Sequence, residues 1–170
     1  MTYRAAPTLE SERLVLRSYR VDDFEAFAQY FASPRSVYTD GPIGREAAWD
    51  LFTAGAGRWM LVGYGAWTVE LRSTGGAIGL VSLNTPITLP DPELGWILWD
   101  GFEKQGYAYE AAMKARQFAF DRLQWPSIVS GIHVENTASI RLAERLGAVL
   151  DPDMTYAEEP ETQFYRHMPC

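Results

Sequence analysis

The sequence predicts a mixed α/β fold in a single domain, with a central sheet of about six to seven strands flanked by about four helices. Three observations predict it. The 170 residues are 47% hydrophobic and 22% charged, a composition typical of a soluble globular chain. Periodic segments follow in the order strand, two helices, three strands, helix, strand, helix, strand. Neither a repeat nor a linker divides residues 1–170, so one domain is expected.

The first strand is predicted at residues 8–18, where apolar and polar side chains alternate. Leu14 and Leu16 are expected on its buried face, with Val15 and Arg17 on the other. The alternation indicates that the strand is half buried.

Two helices are predicted next. Phenylalanines at helical spacing indicate the first, which begins near Val21 and carries Asp22 and Asp23 in its first turn, where the helix dipole favours acidic groups. A Ser-Pro pair at 33–34 ends it. The second covers residues 44–52.

A β-hairpin is predicted from two alternating runs, Ala66–Leu71 and residues 77–83, joined by a Ser-Thr-Gly-Gly turn. A loop with three prolines follows, and residues 93–99 form the next strand. The remaining elements are a long helix at 106–125, a strand at 127–134, a helix at 137–146, and a last strand at Thr162–His167.

A loop that enters the long helix is suited to an anion. The first N–H groups of a helix lack intrahelical partners, and the helix dipole adds to their attraction for a pyrophosphate. Gly106 would let the backbone approach the anion closely, and Lys104 could add a charged contact. Further along, Asn136 is a good N-cap and Gly147 a good terminator of the next helix.

Three motifs occur in order: Gly-Tyr-Ala-Tyr-Glu-Ala at 106–111, Asn-Thr-Ala-Ser-Ile at 136–140, and Arg-Leu-Gly at 145–147. Together they resemble the signature of GNAT N-acetyltransferases, in the branch of the ribosomal-protein N-terminal acetyltransferases. The segments Arg-Leu-Val-Leu-Arg at 13–17 and Glu-Leu-Gly-Trp at 93–96 also resemble this branch, so the likeness extends from about Thr8 to Gly147.

The resemblance implies an enzyme that transfers an acetyl group from acetyl-coenzyme A (acetyl-CoA) to an amine, with no metal. It implies a GNAT fold whose strands splay apart at the cofactor site. The helix-start geometry and the resemblance together give the residues expected to bind the cofactor, which are Lys104, Gln105, Gly106, Tyr107, Ala108, Tyr109 and Asn136. The implied catalytic residues are Glu93 as base and Ser139 as the acid that protonates the leaving thiolate; His133 is an alternative base.

The chain departs from the family pattern at two positions. Glu103 stands where the family's phosphate loop usually begins with Gln or Arg, and a carboxylate there would repel a pyrophosphate unless its side chain points to solvent. Ala148 replaces the aromatic residue that usually follows Leu-Gly, which is expected to thin the packing.

Charge and cysteine content limit the possible partners. A net charge of −7 and a pI of about 4.8 disfavour nucleic acid, which needs a clustered basic surface. The chain has no 18-residue apolar run and no signal-peptide pattern, so neither a membrane partner nor export is expected. The only cysteine, Cys170, cannot form an intramolecular disulfide, and a cytoplasmic location is expected. A homodimer is a candidate assembly.

Other functions stay open at this stage. The acceptor amine could belong to a protein N-terminus or to a small molecule such as an antibiotic or a polyamine, in which case the enzyme would detoxify. The chain could also be a CoA-binding module that is weakly active or inactive. An unrelated nucleotide-binding protein is disfavoured, because no Gly-x-Gly-x-x-Gly or P-loop pattern is present.

Overall fold

The structure is a computed structural model that describes residues 5–169, so Cys170 lies outside the described residues. It has eight strands: β1 (Leu9–Glu10), β2 (Leu14–Arg17), β3 (Ala66–Leu71), β4 (Ala77–Asn84), β5 (Glu93–Leu98), β6 (Ile128–His133), β7 (Val149–Asp151) and β8 (Thr162–His167). It has four α-helices: α1 (Phe24–Ala32), α2 (Arg45–Val62), α3 (Tyr107–Asp121) and α4 (Thr137–Arg145). Two 3-10 turns, Val21–Asp23 and Pro34–Tyr38, flank α1. The predicted mixed α/β fold is confirmed.

All eight strands form one sheet in the order β1-β2-β3-β4-β5-β6-β8-β7. Its neighbours pair antiparallel, except that β5 and β6 are parallel. The β5–β6 pair is joined at a single register position, Glu93 with Val129, and the strands then separate. The sheet therefore contains a gap between β5 and β6, which we call the strand gap.

Both faces of the sheet are covered. Four fully buried alanines of α3 (Ala111, Ala112, Ala115 and Ala119) pack against one face, and their small side chains let the helix lie close to the strands. Aromatic residues of α1 and α2, among them Phe27 and Phe52, cover the other face together with Trp99. This packing fixes the N-terminus of α3 beside the end of β5.

Helix α2 extends ten residues beyond the predicted end at residue 52. Gly55 and Gly57 follow that position, and the low helix propensity of glycine indicates an end to the helix when only the local sequence is considered. In the structure, a Cβ at position 55 would lie 3.3 Å from the Tyr19 ring, so glycine permits close packing there. Trp59, which is 4% exposed, anchors the added turns in the core. Tertiary packing thus extends the helix through the glycines.

The N-terminal strand also differs from its prediction, because residues 8–18 form two short strands joined by a turn. Arg17 was expected on a solvent face, yet it is 7% exposed and lies under the start of α1. Its guanidinium donates two hydrogen bonds of 2.8 Å to Asp23 and one to Glu70. The partners neutralise a buried charge, so both faces of β2 can be covered.

The short strand β7 was not predicted, since three residues give too little alternation to detect. Ala148, just before it, is buried with Ile132, Ala143 and Tyr165. No helix among residues 5–169 has both the length and the apolar character needed to cross a membrane.

Candidate active site at the strand gap

Glu93 begins β5 at the closed end of the strand gap. Its Oε1 accepts a hydrogen bond of 3.2 Å from the Gly131 N–H of β6. A Cβ at position 131 would lie 2.9 Å from that oxygen, so glycine is needed for the carboxylate to reach the backbone. Glu93 therefore connects the two strands where they begin to separate.

Burial, together with the negative charges of Asp40 and Glu159, raises the pKa of Glu93 to about 7. The hydrogen bond from Gly131 opposes this effect because it favours the carboxylate. The result is a carboxyl group that gains or loses a proton near neutral pH. A general base is most effective when its pKa lies near the pH at which the enzyme works.

Asn136 and Ser139 lie at the start of α4, opposite β5. The Oδ1 atom of Asn136 accepts a hydrogen bond of 3.3 Å from the Ser139 N–H, which confirms Asn136 as the N-cap. Ser139 Oγ accepts a separate hydrogen bond of 3.3 Å from the indole N–H of Trp96. Because the hydroxyl oxygen acts as an acceptor in this bond, the Ser139 hydroxyl proton is available to another group.

The N-terminus of α3 has two residues with positive φ beside N–H groups that have no intrahelical acceptor. Gly106 is the N-cap with φ +84°, and Lys104 also has a positive φ of 60°. The first helical bond of α3 runs from the Glu110 N–H to the Gly106 carbonyl at 3.1 Å, so the earlier N–H groups lack intrahelical acceptors. Left-handed residues in a turn help to form concavities that are lined by backbone N–H groups and can bind anions.

Among the neighbours of Gly106, Gln105 and Tyr107 contact other protein groups, whereas Ala108 and Tyr109 line a cavity. Gln105 bonds within the loop, because its side chain donates to the Gly101 carbonyl at 3.1 Å. Tyr107 packs on the core with the Arg13 guanidinium 4.6 Å from its ring centre. Tyr109 and Ala108 line a cavity beside the helix terminus.

Glu110, the acidic residue of the 106–111 motif, has a structural role. Its carboxylate accepts bonds from the Ser11 hydroxyl at 2.7 Å and from the backbone N–H and Nε of Arg13 at 2.8 Å each. These contacts attach the first turn of α3 to the β1–β2 hairpin. The motif thus contains both the glycine at the α3 N-terminus and the carboxylate that attaches this helix to the hairpin.

The carboxylate of Glu103 does not point freely into solvent. One oxygen pairs with the Arg35 guanidinium, and the other accepts a bond of 3.0 Å from the Gly101 N–H. Arg35 follows α1 and also donates to the Leu98 carbonyl at 3.3 Å. An ion pair therefore compensates the unexpected negative charge in the loop.

Two cavities meet at Trp96, Asn136 and Ser139. The helix-terminus cavity, of about 510 Å³, contains Lys104 and Gly106 in its wall. The strand-gap cavity, of about 300 Å³, contains Glu93. The structure thus brings Glu93, Ser139, Asn136 and the α3 terminus into one continuous groove.

His133 lines neither of these two cavities. It lines a third cavity of about 380 Å³, which we call the acidic cavity, with Asp40, Glu158, Glu159 and Glu161. His133 Nδ1 accepts from the Glu135 N–H at 3.2 Å, and Nε2 lies 3.1 Å from Glu161. The ring also stacks on Tyr38 at 4.9 Å. Both ring nitrogens of His133 thus have hydrogen-bond partners.

Sequence reasoning missed several residues of the groove. The sequence does not indicate the bond from Trp96 to Ser139, and Tyr38 and Asp40, at and after the end of the second 3-10 turn, carry no local pattern. Within residues 5–169, no group of three or more His, Cys, Asp or Glu side chains is arranged to hold a metal ion.

Comparison with known proteins identifies the family. A protein-family model described as an acetyltransferase (GNAT) domain matches residues 13–149. The crystal structure of an acetyltransferase from Agrobacterium tumefaciens str. C58 is 38% identical, with a TM-score of 0.91 over 99% of this chain and 98% of that chain.

Two further structures share the fold at lower identity. An acetyltransferase (GNAT family) from Bacillus anthracis is 21% identical, with a TM-score of 0.80 over 95% of this chain and 98% of that one. RimL, a ribosomal L7/L12 alpha-N-protein acetyltransferase in complex with coenzyme A, is 16% identical, with a TM-score of 0.77 over 95% and 98% of the two chains. Since the family model covers most of its length, this chain belongs to the GNAT family of acetyl-CoA-dependent N-acetyltransferases.

Proposed function

We propose that this chain transfers the acetyl group of acetyl-CoA to a positively charged primary amine, on a protein N-terminus or a small molecule, with Glu93 as the base. The observation that carries the proposal is the position of Glu93 at the strand gap together with its pKa of about 7. An amine cation must lose a proton before it can attack a thioester. The position and the pKa of Glu93 support it as the group that takes this proton, directly or through a water molecule.

The donor fits the helix-terminus cavity. The α3 terminus with Gly106 and Lys104 would hold the pyrophosphate, and Asn136 would contact the pantetheine arm. The RimL structure, which is described as a complex with coenzyme A, supports the same donor for this fold.

The reaction then needs no covalent enzyme intermediate. Glu93 takes one proton from the amine cation, and the neutral nitrogen then bonds to the acetyl carbon. The carbon–sulfur bond breaks, and the second proton that the nitrogen loses passes to solvent. The leaving thiolate takes a proton from the Ser139 hydroxyl, which solvent restores. Backbone N–H groups in the strand gap would stabilise the negative charge that develops on the acetyl oxygen.

The acidic cavity supports a cationic acceptor. It shares Asp40 and Glu159 with the strand-gap cavity, and Glu158 and Glu161 extend the same sign of charge outward. Carboxylates around a cleft attract a cation and raise its local concentration. An amine with additional positive charge is therefore expected to be preferred.

Turnover on an amine panel tests the function. Peptides with a free α-amine, a polyamine and an aminoglycoside should be compared as acceptors. Each peptide should also be tested with a neutral and with an acidic second residue, so that the charge of the acceptor varies. We expect acetylation, with kcat/KM rising with the positive charge of the acceptor and falling as salt is added. Binding of acetyl-CoA without turnover on any amine would instead indicate a CoA-binding module.

Glu93→Gln tests the assigned base. Loss of a general base should lower kcat by roughly 10²–10⁴-fold and leave acetyl-CoA affinity nearly unchanged. Glu46→Gln, at an exposed site at the start of α2, is the matched control and should retain full activity. Equal pH–rate profiles for Glu93→Gln and the parent would exclude Glu93 as the base.

A further inference from the structure

The absent hydrogen bond of the β5–β6 ladder leads to a positioning role for two residues that the proposed reaction does not use. Val129 N–H donates to the Pro92 carbonyl at 2.9 Å, as expected for the parallel register at Glu93 and Val129. The next rung would join the Gly131 N–H to the Leu94 carbonyl. Between the described residues of these strands, no such register position is formed.

Side chains take the places of the absent backbone partners. The Gly131 N–H donates to Glu93 Oε1 at 3.2 Å, and the Leu94 carbonyl accepts a bond of 2.7 Å from the Ser130 hydroxyl. Ser130 is 2% exposed, so the carbonyl has a protein partner where water has little access. A buried carbonyl without a partner would be costly, and the Gly131 N–H is the nearest alternative donor along the ladder.

His167 of β8 holds the Ser130 hydroxyl in this orientation. Its Nε2 lies 3.0 Å from Ser130 Oγ, and the side chain is fully buried. Because the Ser130 hydroxyl donates to Leu94, its oxygen must accept, so His167 carries the proton on Nε2. His167 Nδ1 has no hydrogen-bond partner among the described residues, which agrees with a neutral ring. Burial and the charge of Arg116 lower the pKa of His167 to about 4.

We propose that Ser130, oriented by His167, is a positioning residue that keeps the strand gap open by occupying the Leu94 carbonyl, so that the Gly131 N–H remains bound to Glu93. The inference rests on the proposed role of Glu93. Neither Ser130 nor His167 needs to touch a substrate, since each acts through the backbone that shapes the gap. If Ser130 lost its hydroxyl, the Leu94 carbonyl would compete for the Gly131 N–H and Glu93 would lose a hydrogen bond that favours its carboxylate.

The test is the titration of Glu93 in a set of matched variants. In Ser130→Ala, the carboxyl pKa, followed by NMR with ¹³C-labelled glutamate, should rise by about 0.5–1 unit because a bond to the charged form is lost. His167→Leu should give the same shift, whereas His167→Gln, which retains an amide donor, should stay near the parent value. The acidic limb of the pH profile of kcat/KM should shift to higher pH as the pKa of Glu93 rises. Asp40 and Glu159, which also face Glu93, stay unchanged throughout the set.

Thr68→Val is the control for stability alone. Thr68 is also 2% exposed on an interior strand, and its hydroxyl donates to Asp23 at 2.8 Å, remote from the gap. This variant should lose stability without moving the Glu93 titration. If Ser130→Ala behaves like Thr68→Val, the positioning role is wrong. If the parent acetylates no amine, the proposed function fails, but the NMR titration still decides whether Ser130 governs the Gly131–Glu93 bond.

Discussion

The indole N–H of Trp96 donates a hydrogen bond to Ser139 Oγ at 3.3 Å, which connects β5 to the first turn of α4 across the groove. The bond occupies a lone pair of the hydroxyl and leaves its proton free to be donated. It also fixes the hydroxyl where the helix-terminus and strand-gap cavities meet. Ser139 is therefore oriented by a partner that the local sequence does not reveal.

Ser139→Ala should lower kcat about tenfold and leave the KM for acetyl-CoA nearly unchanged, because the hydroxyl is needed only by the leaving thiolate. The melting temperature should change little, since the Asn136 cap uses the Ser139 backbone N–H. Asn136→Ala is the contrasting variant and should lose about 1 kcal/mol of stability. Steady-state kinetics and melting curves on the same preparations check both statements. Normal turnover in Ser139→Ala would assign the proton to water.

Gly106→Val should weaken acetyl-CoA binding by at least about tenfold, because a branched side chain would block the anion at the helix terminus. A Cβ there would also lie 3.2 Å from the Arg13 guanidinium. Gly75→Val is the matched control, since Gly75 has a similar φ of +70° and open space around it. Calorimetric titration should show reduced affinity only for Gly106→Val. Equal affinity in both folded variants would remove the pyrophosphate from this site.

Arg35→Ala should reduce acetyl-CoA affinity by roughly 3–10-fold, because it leaves the Glu103 carboxylate uncompensated beside the phosphate loop. Adding Glu103→Gln to the same chain should restore most of the affinity. Arg45→Ala breaks a comparable exposed pair, with Glu25 at 2.9 Å, and should have no effect. If the double variant binds no better than Arg35→Ala, Arg35 acts by some route other than charge compensation.

Glu93→Gln should stabilise the protein at alkaline pH while it removes activity. The pKa of Glu93 is raised from 4.5 to about 7, so the folded state holds a proton that the unfolded state has lost in this range. The stability that Glu93 contributes is therefore complete below pH 4.5 and is lost as the pH rises through 7. The free energy of unfolding of Glu93→Gln, relative to that of the parent, should increase over this pH range by roughly 1–3 kcal/mol at pH 8. Melting temperatures at pH 5 and pH 8 measure it, and an equal difference at both values would contradict the assigned pKa.

Local patterns predicted the parts of the fold and the groove that depend on local interactions. The N-cap at Asn136 and the glycine before α3 could be predicted because capping involves residues within one turn. The Ser130–Leu94 and Arg35–Glu103 contacts join residues that are 36 and 68 positions apart, so no spacing in the sequence indicates them. The burial of Arg17 was missed in part for the same reason, since one of its two partners, Glu70, lies 53 positions away, although the other, Asp23, lies only 6 positions away.

The eight-stranded sheet ends in β1 with two residues on one side and in β7 with three on the other. An edge strand presents unpaired N–H and C=O groups that can pair with another chain and start aggregation. Strands of two or three residues provide too few such groups for stable pairing between molecules. The long central strands can therefore be shielded inside the sheet, and edge-to-edge association of this enzyme is disfavoured.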